Sequence, residues 1–213
     1  MPLLTLLLAA LIQGITEFLP VSSSGHLILL PQFTGMADQG QVIDVAVHVG
    51  TLFAVIIYFW KDASPALIGL PRVLRGKIDT SGAFLALCLI IATLPVVIFG
   101  VILKLTGLDD MMRNITVIGW TMLIFGLVLY WADQSGKTQR DADQWTLRHA
   151  LAMGLWQAIS LIPGTSRSGI TITAARRLGY KREDSAKLSM LMSIPTIIAS
   201  GVLLGAEVAM DAD

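Results

Sequence analysis

Four stretches of this chain lack Asp, Glu, Lys and Arg for long enough to cross a hydrocarbon layer as helices: Val45–Trp60, Ala83–Leu103, Asn114–Ala132 and Leu188–Ala206. A helix rises about 1.5 Å per residue, so a core of about 30 Å takes roughly 20 apolar residues. The first stretch extends back to Val42 if Asp44 lies near the membrane edge. Charge or turn residues bound each one, such as Lys61-Asp62 and Leu108-Asp109-Asp110. The rest of the chain agrees, with 54% hydrophobic and 14% charged residues and a mean hydropathy of +0.73. Soluble domains average about 25% charged residues, and one aqueous core of this size cannot hide so much apolar surface. The solvent must be lipid. A formal net charge of zero argues against a nucleic-acid partner. The single cysteine, Cys88, lies in an apolar run and reads as a small buried hydrophobe. The N-terminus, MPLLTLLLAA, lacks the basic start of a signal peptide and reads as part of the mature fold.

Two further apolar segments are broken in the middle. Pro2–Phe33 is interrupted by Glu17, Pro20, Ser22-Ser23-Ser24-Gly25-His26 and Pro31, and Leu147–Ala175 by Pro163-Gly164-Thr165-Ser166-Arg167-Ser168-Gly169. Each arm is short for a span and each break is rich in turn formers, which predicts two re-entrant helical hairpins. Irregular backbone at membrane depth persists only where protein buries it or where it lines a wet cavity. The segments share one plan: Leu11-Ile12-Gln13-Gly14-Ile15 and Leu155-Trp156-Gln157-Ala158-Ile159 each precede a proline, a hydroxyl-rich loop, a glycine and a short helix. Three spans lie between the hairpins, so the second enters from the opposite face. The expected architecture is an all-α polytopic membrane protein with inverted-topology repeats and a site near the midplane. Residues 1–132 form the first repeat, with the hairpin at 2–33. Residues 146–213 form the second, with the hairpin at 147–177 and a single following span.

Charge supports that topology. With the Phe33–Gln41 loop outside, the loops 61–82, 133–148 and 176–187 fall inside, and they hold twelve basic residues. The outside loops hold only Lys104 and Arg113. This is a positive-inside bias. Trp60, Tyr130 and Trp131 at run ends read as interfacial aromatics.

The hairpin loops carry the candidate chemistry. Gln13 and Glu17 are four apart and share one helix face. An intramembrane carboxylate is a functional residue by default, and paired oxygen ligands suit a hard cation such as Mg²⁺ or Ca²⁺. Ser23 and His26 are three apart, within reach of a hydroxyl–imidazole contact if a helix begins at the serines. Imidazole can act as base toward serine or water, or accept a phosphoryl group itself. In Pro163–Thr171, Gly164 and Gly169 let backbone N–H groups converge, Ser166, Ser168 and Thr171 add hydroxyls, and Arg167 adds a planar fork. That composition makes an anion nest for phosphate, with a helix N-terminus starting near Ser168 aimed at it. Asp44 and His48 read instead as an interfacial or interhelical polar contact, and His149 as a solvated helix start. A carboxylate, a Ser/His cluster and a phosphate clamp are the parts of phosphoryl transfer, on a substrate with a phosphate head and a lipid tail.

The stretch Gln13-Gly-Ile-Thr-Glu17-Phe-Leu-Pro-Val-Ser-Ser-Ser-Gly-His26 resembles the (E/Q)xxxE and SSxGH motifs of undecaprenyl-diphosphate phosphatases, the bacitracin-resistance family. Pro163-Gly-Thr-Ser-Arg-Ser-Gly-Ile-Thr171 resembles that family's PGxSRSxxT motif. The resemblance covers essentially the whole chain. It implies metal-dependent hydrolysis of undecaprenyl diphosphate to the monophosphate at the outer side of the bacterial cytoplasmic membrane. That reaction recycles the carrier lipid for peptidoglycan synthesis, and with it cell shape and bacitracin resistance. Carried over by position, Glu17 and Gln13 serve the metal and phosphate end, and Ser23 or His26 is nucleophile or base. Ser22 and Ser24 belong to the substrate-binding loop, while Gly164, Ser166, Arg167, Ser168 and Thr171 hold the diphosphate. A transporter or flippase for a phosphorylated isoprenoid lipid is the rival reading, since inverted repeats with midplane sites are typical of transporters.

The second repeat departs from the family plan. After its hairpin it shows one span where the family has three, and the chain ends in Asp211-Ala212-Asp213. The expectation is a longer native product with two more apolar runs. The alternative is a short member that completes its wall as a homodimer.

Overall fold

A computed structural model describes residues 3–35, 37–108, 112, 114–136 and 138–211. The boundary Asp109-Asp110, Arg113 and Lys137 of the charge tally, and the end of the tail at Ala212-Asp213, lie outside the described residues. Those residues build helices α1 (Leu3–Thr16), α2 (Ser23–Thr34), α3 (Gly40–Tyr58), α4 (Trp60–Leu74), α5 (Ser81–Thr106), α6 (Ile115–Ser135), α7 (Leu147–Ala158), α8 (Arg167–Arg177) and α9 (Arg182–Asp211). Single 3₁₀ turns lie at Ala142–Gln144 and Ile159–Leu161. Local chemistry sets the boundaries. Thr80 caps α5 by accepting from Ala83 N–H (3.1 Å), and Asn114 caps α6 by accepting from Val117 N–H (3.0 Å). Gly107, at φ +68°, ends α5 in the left-handed conformation.

Among the described residues, three helices are long and apolar enough to cross a membrane: Ser81–Thr106, Ile115–Ser135 and Arg182–Leu203. They match three of the four runs. The fourth is α3, which turns through 98° at Phe59 into α4. Charges in 61–82 predict a loop, yet its first half is the helix Trp60–Leu74. Small residues explain this: α4 buries Ala63, Ala66 and Gly69 and leaves Leu67, Ile68 and Leu74 exposed. A Cβ on Gly69 would stand 2.3 Å from Ala83 N, and one on Gly82 2.2 Å from Pro65 O, so α4 lies backbone-to-backbone on the start of α5. Such close approach of small residues is how helices pack where the hydrophobic effect gives no drive.

Helix α5 packs on α4, α7 and α9, α6 on α8, and α9 on α3. The core between them holds Cys88, Ala92, Met153, Ala174, Leu191 and Met192, all buried. Gly154 of α7 meets α5 as tightly, since its Cβ would fall 2.5 Å from Ala92 O. Gly154→Ala is therefore expected to destabilise by about 1–3 kcal/mol through overpacking, read as a lower Tm in detergent. Gly119 and Gly126 of α6 have nothing within 4 Å of a built Cβ. Alanine at either is neutral or stabilising by up to about 1 kcal/mol. Equal melting of Gly154→Ala and Gly126→Ala would contradict this packing.

A charge clamp fixes the far end of α8. Arg176, counted above as a loop residue, is buried at 2% exposure; its Nε donates to Asp133 Oδ1 (3.1 Å) and its Nη1 to Tyr180 O (2.6 Å). Arg182 grips Asp133 with two bonds of 2.8 Å. The ends of α6 and α8 and the start of α9 are thereby tied together. His149, half-buried at the start of α7, also hydrogen-bonds the Tyr180 hydroxyl (2.6 Å).

Candidate active site

Two helix–loop–helix units, α1–α2 and α7–α8, present their loops to one another, and the loops are built alike. Ser22 caps α2 by accepting from Gly25 N–H (3.2 Å), with its hydroxyl 3.4 Å from that of Ser24. Ser166 caps α8 by accepting from Gly169 N–H (3.1 Å), with its hydroxyl 3.1 Å from that of Ser168. The Ser-x-Ser-Gly spacing thus encodes the same cap twice. Both helix N-termini carry the partial positive charge of unpaired N–H groups. Ser22 is strained: it holds φ 61°, the sole non-glycine with positive φ among the described residues. Such outliers concentrate at functional sites. In the second loop Gly164 takes the left-handed turn at φ +88°, where a Cβ would fall 2.2 Å from Thr121 Oγ1. Ser168 Oγ donates to Leu19 O (3.1 Å), joining the two loops directly.

Glu17 is the hub. Its Oε2 accepts from Gln13 Nε2 (2.9 Å) and from Ser23 Oγ (2.7 Å), and its Oε1 accepts from Arg167 Nη2, 150 residues away in sequence. The carboxylate is 5% exposed and the guanidinium 15%. A buried carboxylate tolerates that environment only when paired and hydrogen-bonded, and each bond here comes from a residue of a predicted motif. Arg167 Nη1 is buried without a partner, so half of its fork is unused by the protein.

A cavity of about 340 Å³ opens beside Glu17, lined also by Ser22, Ser23, Ser24, Ser166, Arg167 and Ser168. Gln13 lies behind Glu17, fully buried. Three expected residues are placed otherwise. His26 does not reach Ser23: its Nδ1 donates to Ser22 O (2.8 Å), and it does not line the cavity. Thr171 is fully buried, donating to Arg167 O (2.9 Å) and meeting Ser189 Oγ (2.6 Å), which ties α8 to α9. Gly164 shapes a smaller adjoining groove rather than the main cavity.

Asp44 and His48, read as a structural contact, line the cavity instead. His48 Nδ1 donates to Asp44 O (2.6 Å) and Nε2 stands 3.5 Å from Glu17 Oε2. Thr51, one turn on, receives Gln13 Nε2 at 3.4 Å. The signal was in the sequence, since two ionisable residues four apart on an otherwise uncharged span are a functional pair by default. Among the described residues no group of three His, Cys, Asp or Glu could hold a metal. Of the two expected oxygen ligands, Glu17 lines the cavity with its carboxylate, whereas Gln13 Oε1 lies buried behind it, without a partner among the described residues. Mg²⁺ bound through one or two protein oxygens plus phosphate oxygens is the usual arrangement.

Membrane-length helices around a buried cavity of carboxylate, hydroxyl and guanidinium groups define a multi-pass membrane protein with an anion-competent site. Residues 6–212 match the family model described as bacitracin resistance protein BacA, and the chain belongs to that family. A protein named undecaprenyl-diphosphatase from Dinoroseobacter shibae is 72% identical over 213 residues, all of this chain and 80% of that protein. One of the same name from Jannaschia sp. is 69% identical over the same span, again 80% of that protein. A third, from Saccharophagus degradans, is 49% identical over 205 residues, 96% of this chain and 77% of that protein.

Proposed function

We propose that this protein hydrolyses undecaprenyl diphosphate to undecaprenyl phosphate and orthophosphate, recycling the carrier lipid for cell-wall synthesis. The observation that carries the reading is Glu17 held by Ser23 from one loop and by Arg167 from the other. A transporter needs an anion site but no acid hydrogen-bonded to a hydroxyl, so hydrolysis is favoured over translocation. The two helix–loop–helix units act as re-entrant hairpins of an inverted repeat. By charge bias the site opens outward from the bacterial inner membrane.

In the reaction an oxygen nucleophile, Ser23 Oγ or a water held beside it, attacks the terminal phosphorus. The bridging P–O bond breaks and its electron pair stays on the lipid monophosphate. The proton acceptor within reach of Ser23 is Glu17, at 2.7 Å, while His26 is engaged with the Ser22 carbonyl. If Ser23 attacks, water then cleaves the phosphoserine. Arg167 and the N–H groups at the start of α8 stabilise charge on the phosphate oxygens. A divalent cation held by Glu17 and Gln13 would neutralise phosphate charge and polarise the bond under attack.

Purified protein in detergent is expected to release orthophosphate from isoprenyl diphosphates, and excess EDTA to stop it. Full activity in EDTA would remove the cation from this reading. No release from any isoprenyl diphosphate would remove the enzyme.

A further inference from the structure

Two polar atoms of cavity-lining side chains find no partner among the described residues: Arg167 Nη1 and Thr165 Oγ1. Arg167 belongs to the reading above. Thr165 does not, and it occupies the one position of Pro163–Ser168 that the PGxSRS pattern leaves open. It is 2% exposed, and its own N–H is spent on Ile162 O (3.1 Å). A buried hydroxyl left without an acceptor is destabilising. The residue lines the cavity, so what fills the cavity can supply that acceptor.

The likeness of the two loops makes the difference informative. Thr165 precedes the capping Ser166 as Val21 precedes the capping Ser22, and Arg167 follows Ser166 as Ser23 follows Ser22. Counting back equally from the caps, Glu17 in the first loop corresponds in position to Leu161 in the second. The second loop therefore has a cation and an added hydroxyl but no acid, whereas the first carries the acid. An anion is drawn to the second loop and repelled by the carboxylate of the first. An apolar groove lined by Met122, Phe125 and Leu129 of α6 runs past both loops, at Pro20 and Val21 of the first and at Ser166 and Gly169 of the second, and a hydrocarbon tail can leave the site along it.

We infer that Thr165 is a further substrate-binding residue. With Arg167 it holds the lipid-linked phosphate on the second loop, leaving the terminal phosphate beside Glu17 and Ser23. This rests on the phosphatase reading and gives the substrate a direction. A hydroxyl on a non-bridging oxygen of the leaving phosphate, away from the breaking bond, meets most of its charge already in the ground state, so its loss raises KM more than it lowers kcat.

The test is Thr165→Val, which keeps shape and removes the hydroxyl, beside Thr165→Ser, which restores it. With farnesyl diphosphate the valine variant is expected to raise KM about tenfold, as loss of a hydrogen bond to a charged group does, with kcat within about twofold. The serine variant should recover most of the loss. The Kd of the full-length protein for inorganic diphosphate should rise in parallel. Unchanged KM and Kd in the valine variant would show that the hydroxyl serves only packing or water. A fall in kcat at constant KM would place Thr165 on the attacked phosphate, and either result overturns the inference. Wild-type protein that turns over no isoprenyl diphosphate defeats the phosphatase reading instead, and the Kd arm still decides whether Thr165 binds phosphate.

Discussion

Glu17→Gln is expected to lower kcat on isoprenyl diphosphates by about a thousandfold, within the range that a positioned acid–base group contributes. Glutamine keeps the size of glutamate and can still bond Gln13 and Ser23 within the first loop, while Ser168 Oγ on Leu19 O still joins the two loops. It cannot accept the proton that leaves the nucleophile. The same change removes a negative charge from the cavity and frees Arg167, whose Nη2 is spent on Glu17. Without added divalent cation, the variant should bind inorganic diphosphate at least as tightly as wild type. Loss of turnover with retained or tighter binding, measured side by side, separates this role from a structural one. Loss of both would mean that Glu17 only holds the loops together.

The second large effect is Arg167→Lys, expected to reduce kcat/KM by roughly ten- to a hundredfold. Arginine presents a rigid fork. One nitrogen is on Glu17 and the other is unpartnered, so a single side chain can bridge the acid and a phosphate oxygen. Lysine is a point charge on a flexible stem and cannot serve both directions in one geometry. The lost charged hydrogen bond is worth about 1.5–3 kcal/mol, which gives the range stated. A lysine variant with near wild-type kcat/KM would make Arg167 an interfacial residue with no hold on phosphate.

Much of this site was legible because membranes make polar residues conspicuous. Glu17 and Arg167 each interrupt an apolar segment, and the hydroxyl- and glycine-rich breaks around them predicted loops that converge. What spacing could not give is direction. Ser23 and His26 are one turn apart, but with Ser22 as cap, His26 reaches back to the Ser22 carbonyl and Ser23 swings to Glu17. Thr171 is four residues past Arg167, and that same periodicity returns its hydroxyl to the Arg167 carbonyl of its own helix. The place of His48 beside Glu17 was not legible for a related reason. It lies on a span distant in sequence, and only the packing of α1 against α3 brings it to Glu17. The helix α4 was hidden by Lys61, Asp62 and Arg72, and it buries alanines and a glycine against α5 while its larger apolar residues stay exposed.

The account rests on two loops, far apart in sequence, acting as one reacting unit. A double-mutant cycle of Glu17→Gln and Arg167→Lys in kcat/KM tests this most directly. Residues that act as a unit are strongly non-additive. The double variant is therefore predicted to lose no more than Glu17→Gln alone. Losses that multiply, so that the double variant falls by the product of the two single effects, would show that Glu17 and Arg167 act independently and would contradict the shared site.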